Sequence, residues 1–289
     1  MAARTALAPA KVNLFLHVGP AEADGYHPLA SLVTFADFGD RVSVRPAGRL
    51  SLAMEGPFAG GLEEAGDNLI LKALRDLGRV AGIGDPPLAV NLDKRLPVAA
   101  GLGGGSSDAG AALRLARDAL GLDLDDGALA ALAAGVGADG PMCLHARPAW
   151  AAGRGGSLTF EPRLPPLAAV LINPGVASPT GEIYGAYDAG PVRSADRPPP
   201  PPAWTAAAVI GWLAGLRNDL EAPAVRRAPL IAGALEAAAG LAGARLARMS
   251  GSGATVFALF DTPGDAAAGA ARIAADRPGW WIRPTILGS

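Results

Sequence analysis

The run Leu96-Pro97-Val98-Ala99-Ala100-Gly101-Leu102-Gly103-Gly104-Gly105-Ser106-Ser107-Asp108-Ala109 holds the residues with the clearest chemical use. Four glycines in five positions remove the Cβ atoms that would keep backbone away from a ligand. Two serines follow, then apolar residues at helical spacing: Ala109, Ala112, Leu113, Ala116 and Leu120. A flexible loop that runs into a helix N-terminus presents free N–H groups and the positive end of the helix dipole. Such a site favours an anion such as a nucleotide phosphate. The plain alternative is a glycine turn capped by Ser106 or Ser107. Pro97 and the long helical pattern after the loop favour the phosphate cradle. The loop lacks the Lys of a Walker A motif. Counted from Gly101 or Gly103, the sixth position is Ser106 or Asp108, so a dinucleotide fingerprint is also missing.

The surrounding pattern supplies elements to position this loop. The first ninety-odd residues read mostly as strands, with Lys11–Val18 and Arg41–Arg45 alternating or β-branched. Asp67–Ala81 reads as a helix that carries Leu69, Leu71, Leu74 and Leu77, with Asp67 as its cap. Leu88–Asp93 reads as a strand feeding the glycine loop, and helices follow over Ser107–Leu120 and Asp125–Gly135. Beyond Gly153 the pattern predicts a strand at Leu167–Ile172, helices at Thr205–Leu216 and Leu230–Ala239, and a strand pair at Ala244–Met249 and Thr255–Phe260. A helix at Gly264–Ala275 and a strand at Trp281–Thr285 follow. Pro198–Pro202 can sit in neither a helix nor a sheet interior and reads as an extended spacer. Strands and helices come in blocks without strict alternation, which indicates an α+β fold.

Composition narrows the classes. The chain has 289 residues, half of them hydrophobic, enough for one large domain or two ordinary ones. A net charge of −2 and the lack of a basic run interleaved with aromatics argue against a nucleic-acid partner. Cys143 is the only cysteine, so an internal disulfide or a multi-thiolate zinc site is impossible; this fits a reducing cytoplasmic setting. His17, His27 and His145 are too scattered to suggest a metal cluster. No apolar run reads as a signal peptide or a membrane span, so no membrane partner is expected.

Three blocks stand in order along the chain: Pro9-Ala10-Lys11-Val12-Asn13-Leu14, the glycine loop, and Met249-Ser250-Gly251-Ser252-Gly253-Ala254-Thr255. At these separations they resemble the three motifs of the GHMP kinases, the superfamily of galactokinase, homoserine kinase and mevalonate kinase. Further detail narrows the resemblance to the branch that acts on a cytidine-diphosphate sugar alcohol. Those details are Phe15-Leu16, Asp24-Gly25-Tyr26-His27, Asp67-Asn68-Leu69-Ile70, Lys94-Arg95-Leu96-Pro97 and Gly137-Ala138-Asp139. The match runs from about Ala8 to Phe260. It implies a two-lobed GHMP kinase fold with an N-terminal ATP-binding lobe, a C-terminal substrate-side lobe and an active site in the cleft between them. The expected domains are 1–155 and 156–289. The expected activity is phosphorylation of a hydroxyl of the cytidine-diphosphate sugar alcohol, with ATP and Mg2+, in the non-mevalonate isoprenoid route.

The resemblance also implies site residues. Asp139 becomes the general base, because phosphoryl transfer to an alcohol needs a carboxylate that accepts the hydroxyl proton. Taken alone, Asp139 reads as a cap or turn residue. Lys11 becomes its electrostatic partner, stabilising charge on the transferring phosphoryl group; taken alone, it reads as a solvated strand lysine. Gly101, Leu102, Gly103, Gly104, Gly105, Ser106 and Ser107 are expected to hold the ATP phosphates. Lys94, Asn68 and Leu69 are expected on the adenine side, and Pro97 is expected in the ATP site with them. Tyr26, His27 and Tyr184 mark the cytidine end, where aromatic stacking is worth roughly 1–3 kcal/mol per base. Asn13, Asn68 and Thr180 are candidate polar contacts, or else caps and turn residues. Ser250–Gly253 is expected to support the substrate side. No carboxylate cluster reads as a protein-held metal cage, so magnesium is expected to arrive with ATP, held by phosphate oxygens, a serine hydroxyl and water.

Two positions depart from the family pattern. Gly140 stands where a bulky apolar residue usually follows the aspartate, and Gly153-Arg154-Gly155-Gly156 lacks the usual glutamate. Two rival readings follow. One is another GHMP enzyme with a mevalonate-type or sugar substrate, which Tyr26, His27 and Tyr184 argue against. The other is a nucleotide-binding protein without catalysis.

Overall fold

The computed structural model describes residues 3–60, 68–191 and 193–288. The chain divides into two units that interleave in sequence. The first comprises Met1–Ala10, Phe38–Leu96 and Gly103–Ala146, and the second comprises Lys11–Asp37, Pro97–Leu102 and Arg147–Ser289. Mixed strands and helices in both bear out the α+β expectation.

The first unit takes the N-terminal end of β1 (Arg4–Val18) and the C-terminal end of β2 (Leu29–Pro46). It continues with β3 (Ser51–Glu55), α1 (Leu69–Val80), β4 (Leu88–Asp93), α2 (Gly104–Leu120), α3 (Asp126–Ala134) and α4 (Gly140–His145). β4 pairs antiparallel with β2 from Arg41↔Asp93 to Pro46↔Leu88, and parallel with β3 from Ser51↔Ala89 to Glu55↔Asp93. Its burial alternates along Leu88–Asp93, so one face looks into the core. There Leu88, Val90 and Leu92 pack with Ile70, Leu74 and Leu77 of α1 and with Ala112, Leu113 and Ala116 of α2. Ile70, Ala73, Leu74 and Leu77 follow the i, i+3, i+4, i+7 spacing of a core-facing stripe. Each fully buried Leu or Ile contributes roughly 1.5–3 kcal/mol.

The second unit holds the remaining ends of β1 and β2, then β5 (Ala149–Gly153), β6 (Ser157–Phe160), β7 (Leu167–Asn173), α5 (Thr180–Asp188), α6 (Ala206–Ala214) and α7 (Glu221–Arg227). It closes with α8 (Leu230–Ala239), β8 (Ala244–Met249), β9 (Val256–Phe260), α9 (Pro263–Asp276) and β10 (Trp281–Leu287). Here β10, β7, β9 and β8 lie side by side and antiparallel, with Trp281↔Asn173 and Ala168↔Phe260 among their pairs. β7 is buried at every position, which explains its unbroken apolar run. Val170, Ile172, Val256 and Ala258 pack with Ile183, Ile231, Ala234, Ala270 and Ile273 from the helices.

Side-chain capping starts four of the described helices, α1, α3, α6 and α9. Asp125 accepts from the Ala128 N–H at 2.7 Å, Thr205 from Ala208 at 3.3 Å and Thr262 from Asp265 at 3.1 Å. α1 is capped by Asn68, which accepts from Ile70 at 2.9 Å; Asp67, the expected cap, lies outside the described residues. α2 begins at Gly104, three residues earlier than its apolar pattern suggests. Gly103 adopts φ 62°, ψ 21° and turns the chain into the helix without a side-chain cap. Ser106 and Ser107 therefore lie inside the first turn and cap nothing, which overturns the plain reading of the loop. Pro198–Pro202 carries no helix or strand.

Candidate active site

In the second unit, parts of all three sequence blocks meet. The Lys11 N–H donates to the Leu102 carbonyl at 2.8 Å, which ties β1 to the glycine loop. The Lys11 ammonium is buried, 4% exposed, and donates to Asn13 Oδ1 at 2.7 Å. Asn13 Nδ2 donates to Ser31 Oγ at 2.8 Å, so Asn13 is oriented from β2 and holds Lys11 from one side. Ser250 joins the other two blocks: its hydroxyl accepts from the Asn13 N–H at 3.1 Å and donates to the Gly101 carbonyl at 3.0 Å. Thr255 N–H donates to Ala100 O at 3.1 Å. Gly101 sits at φ 73°, and a Cβ there would lie 2.4 Å from Ser250 O, so only glycine lets loop and turn touch. Pro97, half-buried, opens the loop from β4.

Three residues missing from the sequence reading hold this arrangement. Asn218 Nδ2 donates to Met249 O and Gly251 O, both at 2.8 Å. The buried Arg248 guanidinium donates to Leu14 O, Leu213 O and Leu216 O at 2.6–2.8 Å, and burial lowers its pKa to about 10. Ser31 donates to Phe15 O at 2.5 Å. No short motif marks them, because each acts through partners far away in sequence.

The expected base-binding residues also share the second unit. Thr180, Tyr184 and Asp188 are four residues apart on α5 and so lie on one helix face. Thr180 Oγ1 is 3.0 Å from Ser252 Oγ, linking the start of α5 to the Ser250–Gly253 turn. The rings of His27 and Tyr184 are 4.9 Å apart, tilted by 43°. His27 Nε2 lies 2.7 Å from Asp188 Oδ1. Tyr26 is exposed, with the Arg154 guanidinium 4.8 Å above its ring. Arg154 also bridges Glu22 at 2.5 Å and Asp24 at 2.8 Å, fixing the turn that carries Tyr26. In the run that lacks the family's glutamate, Arg154 is thus a brace for the Tyr26 turn.

The first unit holds the remainder of the loop. A Cβ on Gly104 would lie 3.0 Å from Lys94 Nζ, and one on Gly105 3.0 Å from Leu69 Cδ1. The two glycines let Lys94 and Leu69 approach the first turn of α2. Ser107 Oγ donates to Pro9 O at 2.8 Å and is buried, whereas Ser106 makes no side-chain hydrogen bond among the described residues. Asn68, besides capping α1, donates to Met54 Sδ at 3.6 Å. Asp139 occupies the N-cap position of α4 and is half-buried; its side chain does not cap that helix, and its carbonyl accepts from the Cys143 N–H at 3.0 Å. α4 packs on the start of α2, where Cys143 Sγ reaches Gly103 O at 3.8 Å.

Lys94 lies between two carboxylates. Its ammonium donates to Asp40 Oδ2 at 2.5 Å and to Asp108 Oδ2 at 2.8 Å, with all three side chains buried. Asp40 Oδ1 accepts from the N–H groups of Arg95 and Leu96 at 2.6 and 2.8 Å, whereas Asp108 Oδ1 is buried without a partner. Burial, with the Asp40 charge adding to it and Lys94 opposing, pushes the Asp108 carboxyl up to about 8 from 3.8. Burial acts to lower the Lys94 ammonium, but the Asp108 and Asp40 charges outweigh it and the net shift is upward. Between about pH 4 and 8 the folded chain therefore keeps a proton on Asp108 that the unfolded chain releases, so this group's contribution to stability falls as pH rises. Asp108→Asn is expected to flatten that slope. Denaturant midpoints of parent and variant at about pH 5.5 and 8.5 test it; parallel pH responses would refute the assignment.

Among the described residues, no group of three or more His, Cys, Asp or Glu is placed to hold a metal ion, and no helix is long and apolar enough to cross a membrane.

Two family models match the chain: the GHMP kinases N terminal domain over residues 68–147 and the GHMP kinases C terminal over residues 207–277. A 4-diphosphocytidyl-2-C-methyl-D-erythritol kinase of Caulobacter vibrioides (strain NA1000 / CB15N) is 52% identical over 282 residues, covering 96% of this chain and 97% of the relative. One from Caulobacter sp. (strain K31) is 51% identical over 286 residues, covering 98% of both. The chain belongs to the 4-diphosphocytidyl-2-C-methyl-D-erythritol kinase family. A crystal structure of 4-(cytidine 5'-diphospho)-2C-methyl-D-erythritol kinase superposes with a TM-score of 0.78 at 34% identity, covering 99% of this chain and 100% of that one. The protein is therefore a phosphotransferase with the GHMP kinase fold.

In this kinase Gly140 is a close-packing residue. It is buried, and a Cβ there would lie 1.9 Å from Ala133 O and 2.5 Å from Ala133 C, on the backbone at the end of α3. Gly140→Ala is expected to destabilise the fold by about 1–3 kcal/mol through overpacking, despite alanine's better helix propensity. Urea unfolding checks this; a variant as stable as the parent would show that α4 can shift away freely.

Proposed function

We propose that the protein transfers the γ-phosphoryl group of ATP to the 2-hydroxyl of 4-diphosphocytidyl-2-C-methyl-D-erythritol, a step of non-mevalonate isoprenoid precursor biosynthesis. The observation that carries this reading is near-full-length identity of about half to relatives bearing that enzyme's name. The convergence of Lys11, Gly101 and Ser250 in one unit supports it.

In the proposed mechanism Asp139 accepts the hydroxyl proton as the new O–P bond forms, and the phosphoryl group moves in line without a covalent enzyme intermediate. Lys11, held by Asn13, supplies positive charge to the transferring group. Gly101–Ser107 cradles the triphosphate with its N–H groups, and Pro97, Lys94, Asn68 and Leu69 build the nucleotide side. Magnesium comes with ATP. Of the two loop serines, Ser106 has the hydroxyl available to it, since Ser107 is committed to Pro9. Tyr26, His27 and Tyr184 hold the cytosine, with Asn13 and Thr180 as polar contacts. We assign the ATP-binding domain to residues 1–155 and the C-terminal domain to 156–289 because the two family models fall on either side of that boundary, while Lys11–Asp37 and Pro97–Leu102 pack with the second compact unit.

The test is ATP consumption with magnesium and 4-diphosphocytidyl-2-C-methyl-D-erythritol, beside mevalonate and uncytidylylated methylerythritol phosphate. Turnover confined to the cytidine compound is the expected result. Turnover with mevalonate instead would keep the kinase and remove the cytidine site.

A further inference from the structure

His27 is buried within the second unit, its side chain 4% exposed, between the Tyr184 ring at 4.9 Å and the edge-on Tyr187 ring at 5.8 Å. One ring nitrogen, Nε2, lies 2.7 Å from Asp188 Oδ1, and no group among the described residues bonds to Nδ1. An ionised carboxylate can only accept hydrogen bonds, so the nitrogen facing Asp188 must carry a proton. A neutral imidazole has one proton to place, and with Nε2 taken, Nδ1 is left as a lone-pair acceptor. Asp188 itself is 46% exposed and stands one turn beyond Tyr184 on the same face of α5. The helix that carries the aromatic platform thus also carries the group that sets the histidine's polarity.

We infer that Asp188 is a positioning residue that holds the His27 proton on Nε2 and so makes Nδ1 select a pyrimidine with an exocyclic amino group over one with an exocyclic oxo group. The inference rests on the reading that His27 faces the substrate base. The 4-amino group of cytosine donates to such an acceptor, whereas the 4-oxo group of uracil places a second lone pair against it. A site built around one hydrogen-bond polarity rejects the opposite polarity because both buried groups are then left unpaired. Reversing the proton would reverse the preference. The specificity therefore depends on a residue that need not touch the base.

Asp188→Asn keeps the size of the side chain while offering His27 both an acceptor oxygen and a donor NH2. Either tautomer is then satisfied, and the discrimination should relax. The experiment compares kcat/KM for the cytidine substrate with that for its uridine counterpart in parent and Asp188→Asn. It also reads the His27 tautomer from the imidazole 15N shifts of both proteins without substrate. The expected result is a parent preference for cytidine of about 100-fold or more, falling about tenfold in the variant. The shifts should show an Nε2-protonated ring in the parent and a mixture in the variant. An unchanged cytidine-to-uridine ratio in Asp188→Asn, or an Nδ1-protonated ring in the parent, would overturn the inference. A parent that phosphorylates neither compound would overturn the functional reading instead, and the nitrogen shifts, which need no substrate, would still decide the tautomer.

Discussion

Asp139→Asn is expected to lower kcat by about 10²–10⁴-fold, the usual contribution of a positioned general base. An amide has nearly the same shape but cannot take the hydroxyl proton. The carbonyl of residue 139 still accepts from Cys143, and asparagine keeps the side chain's size and its acceptor oxygen. The variant is expected to unfold near the parent's denaturant concentration and bind ATP with similar affinity. Steady-state kinetics with the cytidine substrate, beside urea unfolding and nucleotide titration, separates the two effects. A variant that keeps a third or more of the parent's kcat would remove Asp139 from the chemistry. A variant that loses activity together with stability would place it in the fold instead.

Lys94→Met is expected to cost about 3–5 kcal/mol of stability, because it leaves the buried Asp40 carboxylate without its cation, beside an Asp108 that is already protonated. Methionine fills much of the lysine stem's volume, so the loss is electrostatic rather than a cavity effect. One Asp108 oxygen already lacks a partner, and Asp40 is fully buried, which leaves little means of solvating the excess charge. Lys94→Met/Asp40→Asn, which removes the unpaired charge, should recover a good part of the loss. Denaturant midpoints for the parent, both single variants and the double variant form the cycle that measures this. A Lys94→Met protein of parental stability with a raised KM for ATP would show that the lysine serves the nucleotide directly. The expected loss makes Lys94 the anchor that seats the first turn of α2 on β2 and β4, and so builds the nucleotide side by positioning that turn.

Much of this was legible along the chain. Leu88–Asp93, Leu230–Ala239 and Ala244–Met249 form where local pattern places them, and Asp125 and Thr205 cap the helices they precede. The order of the three motifs indicated the family, because a glycine loop entering a helix and a buried-strand lysine are local features. Three short helices escaped. α4 spans six residues with a proline in its first turn, α5 contains two glycines and little apolar periodicity, and α7 spans seven residues around Pro223, so none has a sequence signal apart from its packing. With α5 went the alignment of Thr180, Tyr184 and Asp188. Local pattern did determine the elements and the motif residues of this kinase. Tertiary structure decided the partners: Lys94 for Asp40 across 54 residues, Asn13 for Ser250 across 237, and His27 for Asp188 across 161. The physical reason is that periodicity and capping energies act within a turn or two of chain. Which buried charge meets which, and which nitrogen of a histidine keeps its proton, depends on strand pairing and helix packing that bring distant segments together.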